Sequence, residues 1–529
     1  MKNVDNLRLK FTDYALVPLV FLLVGSLVIF SSIWQGEYNI DPHHWGLMLS
    51  NAKDLYEGKA PYEQIFIQYG FLTTLIHAAA YTINKNLQSL IAITSIAYAL
   101  GLFIIYFIAF DISRNKRVSI YSLITCFLLH PIVIYPWSNY IAFPFLMYAM
   151  YLLIKKIKSK RTFLYSGVFF GFAVLSREGL FPAIILIILS AFLVDQIYLR
   201  KDLKSHLKSF GILLIGFFVP ILIFAIYLLV NGYLLYWFKL SWLLPKIYIS
   251  DIFPDMAGFG SVLIFIKHVL TLSKNLDFRW ILFASIIMTN IALVVSVLFR
   301  NGRALFTPSI IKVAAASLLL ITSSLHIPEI FRLATGTIIG IITLYVILDQ
   351  YKNLNTVFFF AVLTLLLTLS ASNSGNYFWP NKDVRTGTHY VITPNVFKGQ
   401  KWKANAISYY QNIDLDLNKI NGANCNIKFH HNYTKDAFLQ VISPFEPFQL
   451  APFGVTEHMD QLRPDLNYRK KIDGALDIIY FEMIGEKDYP LYKPKKGYFV
   501  YSSWKVPAEY FISPESILLI VIPETCKPS

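Results

Sequence analysis

Asp41, His43 and His44 form a polar cluster in the stretch "EYNIDPHHWGLMLS", which interrupts an otherwise apolar part of the chain. A carboxylate can deprotonate or orient a hydroxyl nucleophile, and an imidazole can bind a substrate or a metal ion. Adjacent histidines on a helix point in different directions, so a compact three-ligand metal site is not supported. We therefore expect Asp41 to be catalytic and the two histidines to contact substrate, with no cofactor and no metal.

Two further polar clusters lie between long apolar runs. Arg177 and Glu178, in "SREGL", divide an apolar run that is too long for one membrane span. His326, Glu329 and Arg332 lie in "SSLHIPEIFRLATG". An arginine offers a planar fork suited to phosphate, which makes Arg177, Glu178, Glu329 and Arg332 candidates for substrate binding. A solvated turn, or an arginine reaching to the membrane interface, would give the same pattern.

The loop 232–278 mixes aromatic residues with lysines, including Lys239 and Lys246. Such a mixture is typical of an ordinary aromatic belt at a membrane interface, and equally of a site that holds a lipid tail beside a phosphate. We include both lysines among the candidate substrate-binding residues. Glycine-rich nucleotide loops, HExxH and GxSxG are absent from the sequence, so the enzyme classes that depend on them are unsupported.

The composition indicates a membrane protein. The chain has 529 residues, of which 56% are hydrophobic and 15% charged, and its mean hydropathy is +0.52. A span needs about 20 apolar residues. We predict eleven spans, which put the termini on opposite sides: 14–33, 88–110, 118–135, 139–154, 163–176, 179–195, 209–231, 279–299, 309–325, 330–348 and 354–371. Bulky residues follow the first span, so we predict a retained anchor and not a cleaved signal peptide.

Lysine and arginine are concentrated in the loops that lie on the same side of the membrane as the N-terminus, as in the run "KKIKSKR". This bias predicts a cytoplasmic N-terminus. Residues 34–87, 232–278 and 373–529 then lie outside, in a protein of the cytoplasmic (inner) membrane. The bias also accounts for most of the net charge of +15, so no nucleic-acid partner is expected.

Residues 1–372 are predicted to form a transmembrane catalytic domain and residues 373–529 a soluble extracytoplasmic domain. Within the latter, "DIIYFEMI", "GYFVYSS" and "SILLIVIPE" are rich in β-branched and aromatic residues, which predicts strands of an α/β or α+β fold. Cys425 and Cys526 both lie in this domain. An oxidising compartment would favour a disulfide between them, and two separate thiols are the alternative.

A helix is predicted at 42–57, within the outer loop that carries Asp41. Asp41 followed by Pro42 is typical of a helix N-cap, and Gly58 with Pro61 marks the end. Apolar residues recur on one side and polar residues on the other, which predicts a helix lying along the outer membrane surface. Capping is the simplest role for Asp41, and it does not exclude catalysis.

The acidic residue in the first outer loop, the stretch "HHWGLMLSNAKDLYEGKAPYEQIFIQYG", and the later "HPIVIYPWSNYIAFPFLMYAMYLLIK" and "GVFFGFAVLSREGL" together resemble the bacterial GT-C superfamily of membrane glycosyltransferases. This superfamily includes protein O-mannosyltransferases and aminoarabinose transferases. The resemblance covers roughly the first 200 residues.

The resemblance implies transfer of a sugar from a polyprenyl-phosphate donor to a glycan, lipid or protein acceptor. The acid of the first outer loop is then the general base or a substrate contact, which matches Asp41 and, as the weaker match, Glu37. Two alternatives remain open: an O-antigen polymerase or ligase, and a lipid-linked glycan transporter or flippase. A transporter would be expected to show internal repeats and interrupted helices.

Overall fold

The computed structural model describes residues 2–129, 136–155, 159–199, 203–244, 247, 262–264, 266–267, 279–297, 299, 306–324, 330–351, 353–372, 382–423, 425–448, 475, 477–507 and 515–526, with side chains from residue 16 onward. These residues belong to two compact units. The first unit contains 1–32, 94–227 and 253–379, and the second contains 33–93, 228–252 and 380–529.

Helices dominate the chain up to residue 372. In chain order they are α1 (Lys2–Tyr38), α2 (His44–Tyr56), α3 (Phe71–Asn84), α4 (Leu87–Ser113), α5 (Lys116–Leu128), α6 (Ser138–Ile154), α7 (Lys160–Ser176), α8 (Phe181–Leu199), α9 (Leu203–Val230), α10 (Leu234–Phe238), α11 (Arg279–Ser296), α12 (Pro308–Leu320), α13 (Ile330–Ala334), α14 (Ile341–Leu348) and α15 (Leu354–Ser372). Where the structure describes them, the predicted spans are largely helical, with the exception of 330–348.

Five stretches among the described residues are long and apolar enough to cross a membrane: Leu16–Tyr38, Leu87–Ser113, Glu178–Tyr198, Leu203–Val230 and Arg279–Ser296. Shorter apolar helices cover Ser138–Ile154, Pro308–Ser324, Thr337–Leu348 and Leu354–Leu367. The chain is therefore a polytopic membrane protein. The total of eleven spans stays a prediction.

The predicted continuous span 330–348 is wrong in one respect, because the helix is interrupted. α13 ends at Ala334, a 3-10 turn covers Thr337–Gly340, and α14 follows. Gly336 at the break has φ −153° and ψ −79°, which is not helical. A broken helix leaves backbone groups without helical partners, and in an apolar environment these must be satisfied by other groups.

Neighbouring polar side chains of the first unit satisfy this break. The Ser317 hydroxyl donates to the Thr337 carbonyl at 2.6 Å, and the Thr343 hydroxyl donates to Asn290 Oδ1 at 2.7 Å. Gly340 is required here, because a Cβ atom would lie 2.2 Å from Asn290 Nδ2 and 2.4 Å from Ser317 Oγ. The sequence pattern missed the interruption since its polar partners lie on other helices.

Asp195 and Lys312, which lie in the predicted spans 179–195 and 309–325, form a buried ion pair in the first unit. Lys312 Nζ lies 2.5 Å from Asp195 Oδ1, with the two side chains 3% and 7% exposed. Apolar residues such as Leu293 and Ile311 form the adjacent core. Two buried charges are tolerated only when paired, so this contact ties α8 to α12.

In the second unit, α2 begins at His44, two residues later than predicted, and is buried on both sides. Ser50, Asn51 and Asp54, on its expected polar face, are all buried. The predicted exposed polar face is therefore wrong, and the position along the membrane surface stays a prediction. The polar face is covered by the unit itself: Asn51 Nδ2 donates to the Phe66 carbonyl at 2.8 Å, and Lys53 Nζ donates to the Val441 carbonyl at 2.9 Å.

The C-terminal part of the second unit contains a mixed sheet and three helices. The helices are α16 (Lys382–Arg385), α17 (Ala404–Gly422) and α18 (Phe438–Ile442). The strands are β1 (Thr388–Tyr390), β2 (Lys401–Lys403), β3 (Phe429–Asn432), β4 (Glu446–Pro447), β5 (Ile478–Gly485), β6 (Tyr498–Lys505) and β7 (Ser516–Pro523). β1 and β2 form an antiparallel pair, and the other strands form a sheet with the order β4-β3-β5-β7-β6.

The register of this sheet explains its core. β3 runs parallel to β4 and β5, whereas β5 and β6 are antiparallel to β7, with Phe481 opposite Ile520. Leu518 and Ile520 in β7 are fully buried. The three predicted strands are thus confirmed as β5, β6 and β7, and the short apolar run of β7 is a central core strand.

Cys425 and Cys526 are free thiols in contact with each other. The predicted disulfide is therefore not formed in this structure, although the fold brings the two sulfurs together. Burial, together with the hydrogen bond to Cys526, raises the pKa of Cys425 to about 11. Because the thiolate is the reactive form, Cys425 should be a slow nucleophile in disulfide formation near neutral pH.

Oxidation of the purified protein with diamide is expected to join Cys425 to Cys526, because the two thiols already touch. Alkylation after denaturation, read by mass spectrometry, should then label Cys126 only. A Cys425→Ser variant should leave both remaining cysteines alkylated. Labelling of all three cysteines after prolonged oxidation would contradict the contact between Cys425 and Cys526.

Candidate active site

The turn Asp41–His44 holds the first candidate residues. Asp41 Oδ1 accepts a hydrogen bond from the His44 backbone N–H at 2.8 Å, and Oδ2 lies 2.8 Å from His44 Nδ1. The Asp41 carbonyl also accepts from Trp45 N at 3.1 Å. The predicted hydrogen bond from Asp41 to the start of the helix is present, although His43, which makes no side-chain cap hydrogen bond, directly precedes α2, and the Asp41 carboxylate remains 24% exposed. One side chain thus starts α2 and still reaches solvent.

The electrostatics of this turn favour an ionised Asp41 beside a neutral His43. Burial raises the pKa of Asp41, but its hydrogen bonds and charge interaction with His44 outweigh burial and bring the pKa below its ordinary value of 3.8. Burial lowers the pKa of His43 to about 4, and the nearby charges of His44 and Lys435 act in the same direction. At neutral pH the turn therefore offers a carboxylate acceptor and an uncharged imidazole.

The two histidine rings contact each other, contrary to the expectation that they point apart. Their centroids lie 4.4 Å apart with an interplanar angle of 72°. The expectation assumed that both residues are helical, but His43 precedes the first regular turn of α2. Among the described residues, no group of three or more His, Cys, Asp or Glu side chains is arranged to hold a metal ion.

The segment Asn432–Phe438 holds the turn from the C-terminal side of the second unit. The Ala437 backbone N–H donates to the Pro42 carbonyl at 2.9 Å. Gly46, in the first turn of α2, permits this approach, because a Cβ atom there would lie 2.8 Å from Phe438 N and 2.9 Å from the Ala437 carbonyl carbon. The backbones touch directly, so the position of the turn depends on this segment.

Asp436 fixes the conformation of that segment. Its Oδ2 accepts from the Tyr410 hydroxyl at 3.0 Å and its Oδ1 from Phe438 N at 3.0 Å. Burial raises the pKa of Asp436 to about 7, although its hydrogen bonds act in the opposite direction. A buried carboxyl with satisfied acceptors is a positioning group and does not itself face substrate.

Glu37, the weaker acidic candidate, lies at the end of α1 and is engaged elsewhere. Lys401 Nζ donates to Glu37 Oε2 at 2.6 Å and lies over the Tyr38 and Tyr390 rings at 5.3 Å and 4.8 Å. The hydrogen bond from Lys401 to Glu37 raises the pKa of the lysine above its ordinary value. This ion pair ties α1 to β2 within the second unit.

Arg177, Glu178 and Arg332 belong to the first unit. Arg177 Nη2 donates to the Ser323 carbonyl at 3.1 Å. Arg332 is 8% exposed and lies over the Trp137 and Phe331 rings at 5.6 Å and 5.1 Å. Glu178 is also buried. Arg177 thus contacts the 3-10 turn that follows α12, and Arg332 packs on aromatic rings; their substrate-binding roles stay predictions.

The remaining candidates lie in less fully described parts of the chain. Lys239 is half-buried and begins a π-helical turn, Lys239–Leu243, directly after α10. Lys246, His326 and Glu329 fall outside the described residues. Their substrate-binding roles stay predictions.

Sequence reasoning missed the residues that hold the turn: Tyr410, Lys435 and Asp436. They lie more than three hundred positions beyond Asp41, in a segment whose local pattern resembles an ordinary polar loop. The only local signal is the run "NYTKD", whose Asn, Thr and Asp side chains favour tight turns. That signal predicts a turn and does not reveal what the turn contacts.

These observations define a polytopic membrane protein with an acidic turn held by a C-terminal sheet-containing part. No protein-family model and no curated protein matches the chain. Among solved structures, it is similar to ArnT from Cupriavidus metallidurans bound to undecaprenyl phosphate, with 10% identity and a TM-score of 0.55 over 98% of this chain and 99% of that one.

It is also similar to the archaeal oligosaccharyltransferase AglB from Archaeoglobus fulgidus in complex with an inhibitory peptide and a dolichol-phosphate. There the identity is 9% and the TM-score 0.51, over 90% of this chain and 70% of that one. ArnT in the apo state gives 9% identity and 0.51 over 97% and 98%. The GT-C fold expected from the sequence is confirmed.

Replacing Gly46 by alanine is expected to destabilise the second unit. Alanine normally favours a helix over glycine by about 1 kcal/mol, but here its Cβ would meet backbone atoms, and overpacking costs about 1–3 kcal/mol. Thermal unfolding in detergent should show a lower midpoint for Gly46→Ala. Gly211→Ala is the matched control, because nothing lies within 4 Å of a Cβ there. Equal stability of the two variants would contradict the close approach.

The raised pKa of Asp436 predicts a pH-dependent effect of Asp436→Asn. Between pH 3.8 and about 7 the folded protein keeps a proton at this carboxyl that the unfolded chain has lost. The contribution of this carboxyl therefore lowers the free energy of unfolding as pH rises through that window, and the loss is constant above it. Asparagine does not ionise, so the variant does not show this loss. The stability of Asp436→Asn relative to wild type should rise by at most about 1.4 kcal/mol per pH unit up to pH 7 and then level off.

His43, His430 and His431, whose pKa values burial lowers, act in the opposite direction in wild type. They are present in both proteins, so the difference in unfolding free energy isolates residue 436. A difference that does not change with pH would contradict the buried, protonated carboxyl.

Proposed function

We propose that this protein is a glycosyltransferase that moves a hexosyl or pentosyl group from a polyprenyl-phosphate donor to a cell-envelope acceptor, which is a glycan, a lipid or a protein. The reaction takes place at the outer face of the cytoplasmic membrane. In this proposal the N-terminus is inside, residues 1–372 form the transmembrane catalytic domain, and residues 373–529 form an extracytoplasmic domain.

The observation that carries the proposal is the state of Asp41 in a chain with the GT-C fold. Its carboxylate has a lowered pKa, is partly exposed, and lies in a turn whose backbone is held by a second segment. The neighbours with this fold are described as bound to undecaprenyl phosphate, or in complex with a dolichol-phosphate and an inhibitory peptide. A lipid-phosphate ligand for this chain is the inference from that likeness.

The proposed step is a direct displacement at the anomeric carbon of the donor sugar. The acceptor oxygen forms the new bond to that carbon while the bond from the carbon to the phosphate oxygen breaks. Asp41 orients the acceptor hydroxyl and takes its proton, and the electron pair leaves with the polyprenyl phosphate. Because His44 already donates to the carboxylate, the carboxylate is fixed before substrate binds.

His43 and His44 at the edge of the turn are proposed to contact sugar or acceptor hydroxyls. A phosphate-binding role for Arg177, Arg332 and Lys239, and for Lys246 and Glu329 outside the described residues, stays a prediction from the sequence. Glu178 would orient Arg177 or bind a sugar hydroxyl.

A lipid-linked glycan transporter is the second candidate, because α13 and α14 form the interrupted helix that transporters often use. Here the described side chains that satisfy the interruption, Asn290, Ser317 and Thr343, are all neutral. Liposomes that contain donor but no acceptor separate the two functions. A transferase leaves the lipid distribution unchanged, whereas a transporter moves donor between leaflets.

Asp41→Asn is expected to lower sugar transfer by about 10²–10⁴-fold, the usual contribution of a general base. Asparagine caps helices about as well as aspartate, so α2 should be retained. Transfer from a polyprenyl-phosphate sugar is measured in membranes that contain the full-length protein.

The matched control is Glu57→Gln, which neutralises a 42%-exposed acid at the other end of α2. It should transfer sugar at the wild-type rate. Full activity of Asp41→Asn at equal protein level would exclude the proposed base.

A further inference from the structure

Lys435 is exposed between two buried neighbours, Thr434 and Asp436, in the segment that holds the Asp41–His44 turn. Among the described residues its ammonium forms no ion pair within 4 Å. The charge is thus available to a ligand.

The backbone on both sides of Lys435 is fixed by side chains. Asn432 Oδ1 accepts from the Thr434 N–H at 2.9 Å and from its hydroxyl at 2.7 Å. Asn432 Nδ2 donates to the Asp436 carbonyl at 2.8 Å, and the Asp436 N–H donates to Thr434 Oγ1 at 3.0 Å. These hydrogen bonds, with the Tyr410–Asp436 contact, hold Lys435 before any ligand arrives.

Lys435 also lies beside the turn. The ring of His43 forms a hydrogen bond with the Lys435 backbone, and the lysine charge is close enough to disfavour protonation of that ring. Asp41, by contrast, is engaged by His44. The hydrogen bond from the Ala437 N–H to the Pro42 carbonyl at 2.9 Å, two residues beyond Lys435, keeps the backbone of the lysine at this turn.

We propose that Lys435 binds the phosphate of the lipid-linked donor and stabilises the charge that develops on it as the sugar leaves. The inference rests on the proposed glycosyltransferase function and adds a residue from the C-terminal part of the chain to the active site. A lysine ammonium binds phosphate as a point charge and needs no bidentate geometry. A neutral His43 can offer the phosphate a hydrogen bond, while Lys435 supplies the positive charge.

The test is binding of undecaprenyl phosphate to the full-length protein in detergent, followed by tryptophan fluorescence. Lys435→Met, which keeps the length and loses the charge, should weaken binding by about tenfold, the loss of one charge-assisted hydrogen bond. Lys435→Arg should bind within about threefold of wild type, because it keeps the charge. Lys419→Met, which removes another exposed lysine from α17, is the matched control and should bind as wild type.

Each result has a distinct meaning. If wild type binds and Lys435→Met binds equally well, the role of Lys435 is excluded and the proposed function stands. If wild type does not bind undecaprenyl phosphate, both proposals fail. If inorganic phosphate at the same concentration gives the same Lys435-dependent binding, the site recognises a free anion and not a lipid headgroup, which also overturns the inference. A loss with Lys435→Arg as large as with Lys435→Met would indicate a structural role.

Discussion

The hydrogen bond from the Ala437 N–H to the Pro42 carbonyl is the contact on which the rest of the candidate site depends. It brings a segment near the C-terminal sheet against the first turn of α2, at a distance that only glycine at position 46 allows. Asp436 and Tyr410 keep that segment in shape from inside. The acidic turn therefore does not behave as a free loop after the first membrane helix, but as part of a folded unit with residues 380–529.

This constraint explains why Asp41 serves two purposes without conflict. Its carboxylate caps α2 through the His44 N–H and still exposes oxygen to solvent, because the backbone of the turn is already held by the opposing segment. If the Asp41 carboxylate were the only group that held the start of α2, its protonation would disturb the geometry of the turn. Here, the Ala437 contact and the buried face of α2 share that task, so the carboxylate can change protonation state while the turn stays in place.

Much of the fold follows from local patterns. Apolar runs identify the helices α4 to α9, α11, α12 and α15, and the strands β5, β6 and β7 coincide with segments rich in β-branched and aromatic residues. Asp41 before Pro42 identifies the cap. The failures share a physical cause, which is contact between residues distant in sequence. The polar side of α2 looks like a solvated face because its partners, such as Val441, lie far along the chain.

The interruption between α13 and α14 was missed for the same reason, since Asn290 and Ser317 supply its hydrogen bonds from other helices. Lys435 shows how far functional residues can be predicted from the sequence. An exposed lysine in a polar loop has no distinctive pattern, and its significance appears only when His43 is found beside it.

The most direct test of the central claim is a cryo-EM structure of the Asp41→Asn variant with a polyprenyl-phosphate sugar bound. The account predicts that the anomeric carbon lies beside the side chain of residue 41, with a phosphate oxygen within hydrogen-bonding distance of Lys435 Nζ. A donor bound with its sugar away from the turn that residues 41–44 form, with no ligand atom in contact with residue 41, would contradict it.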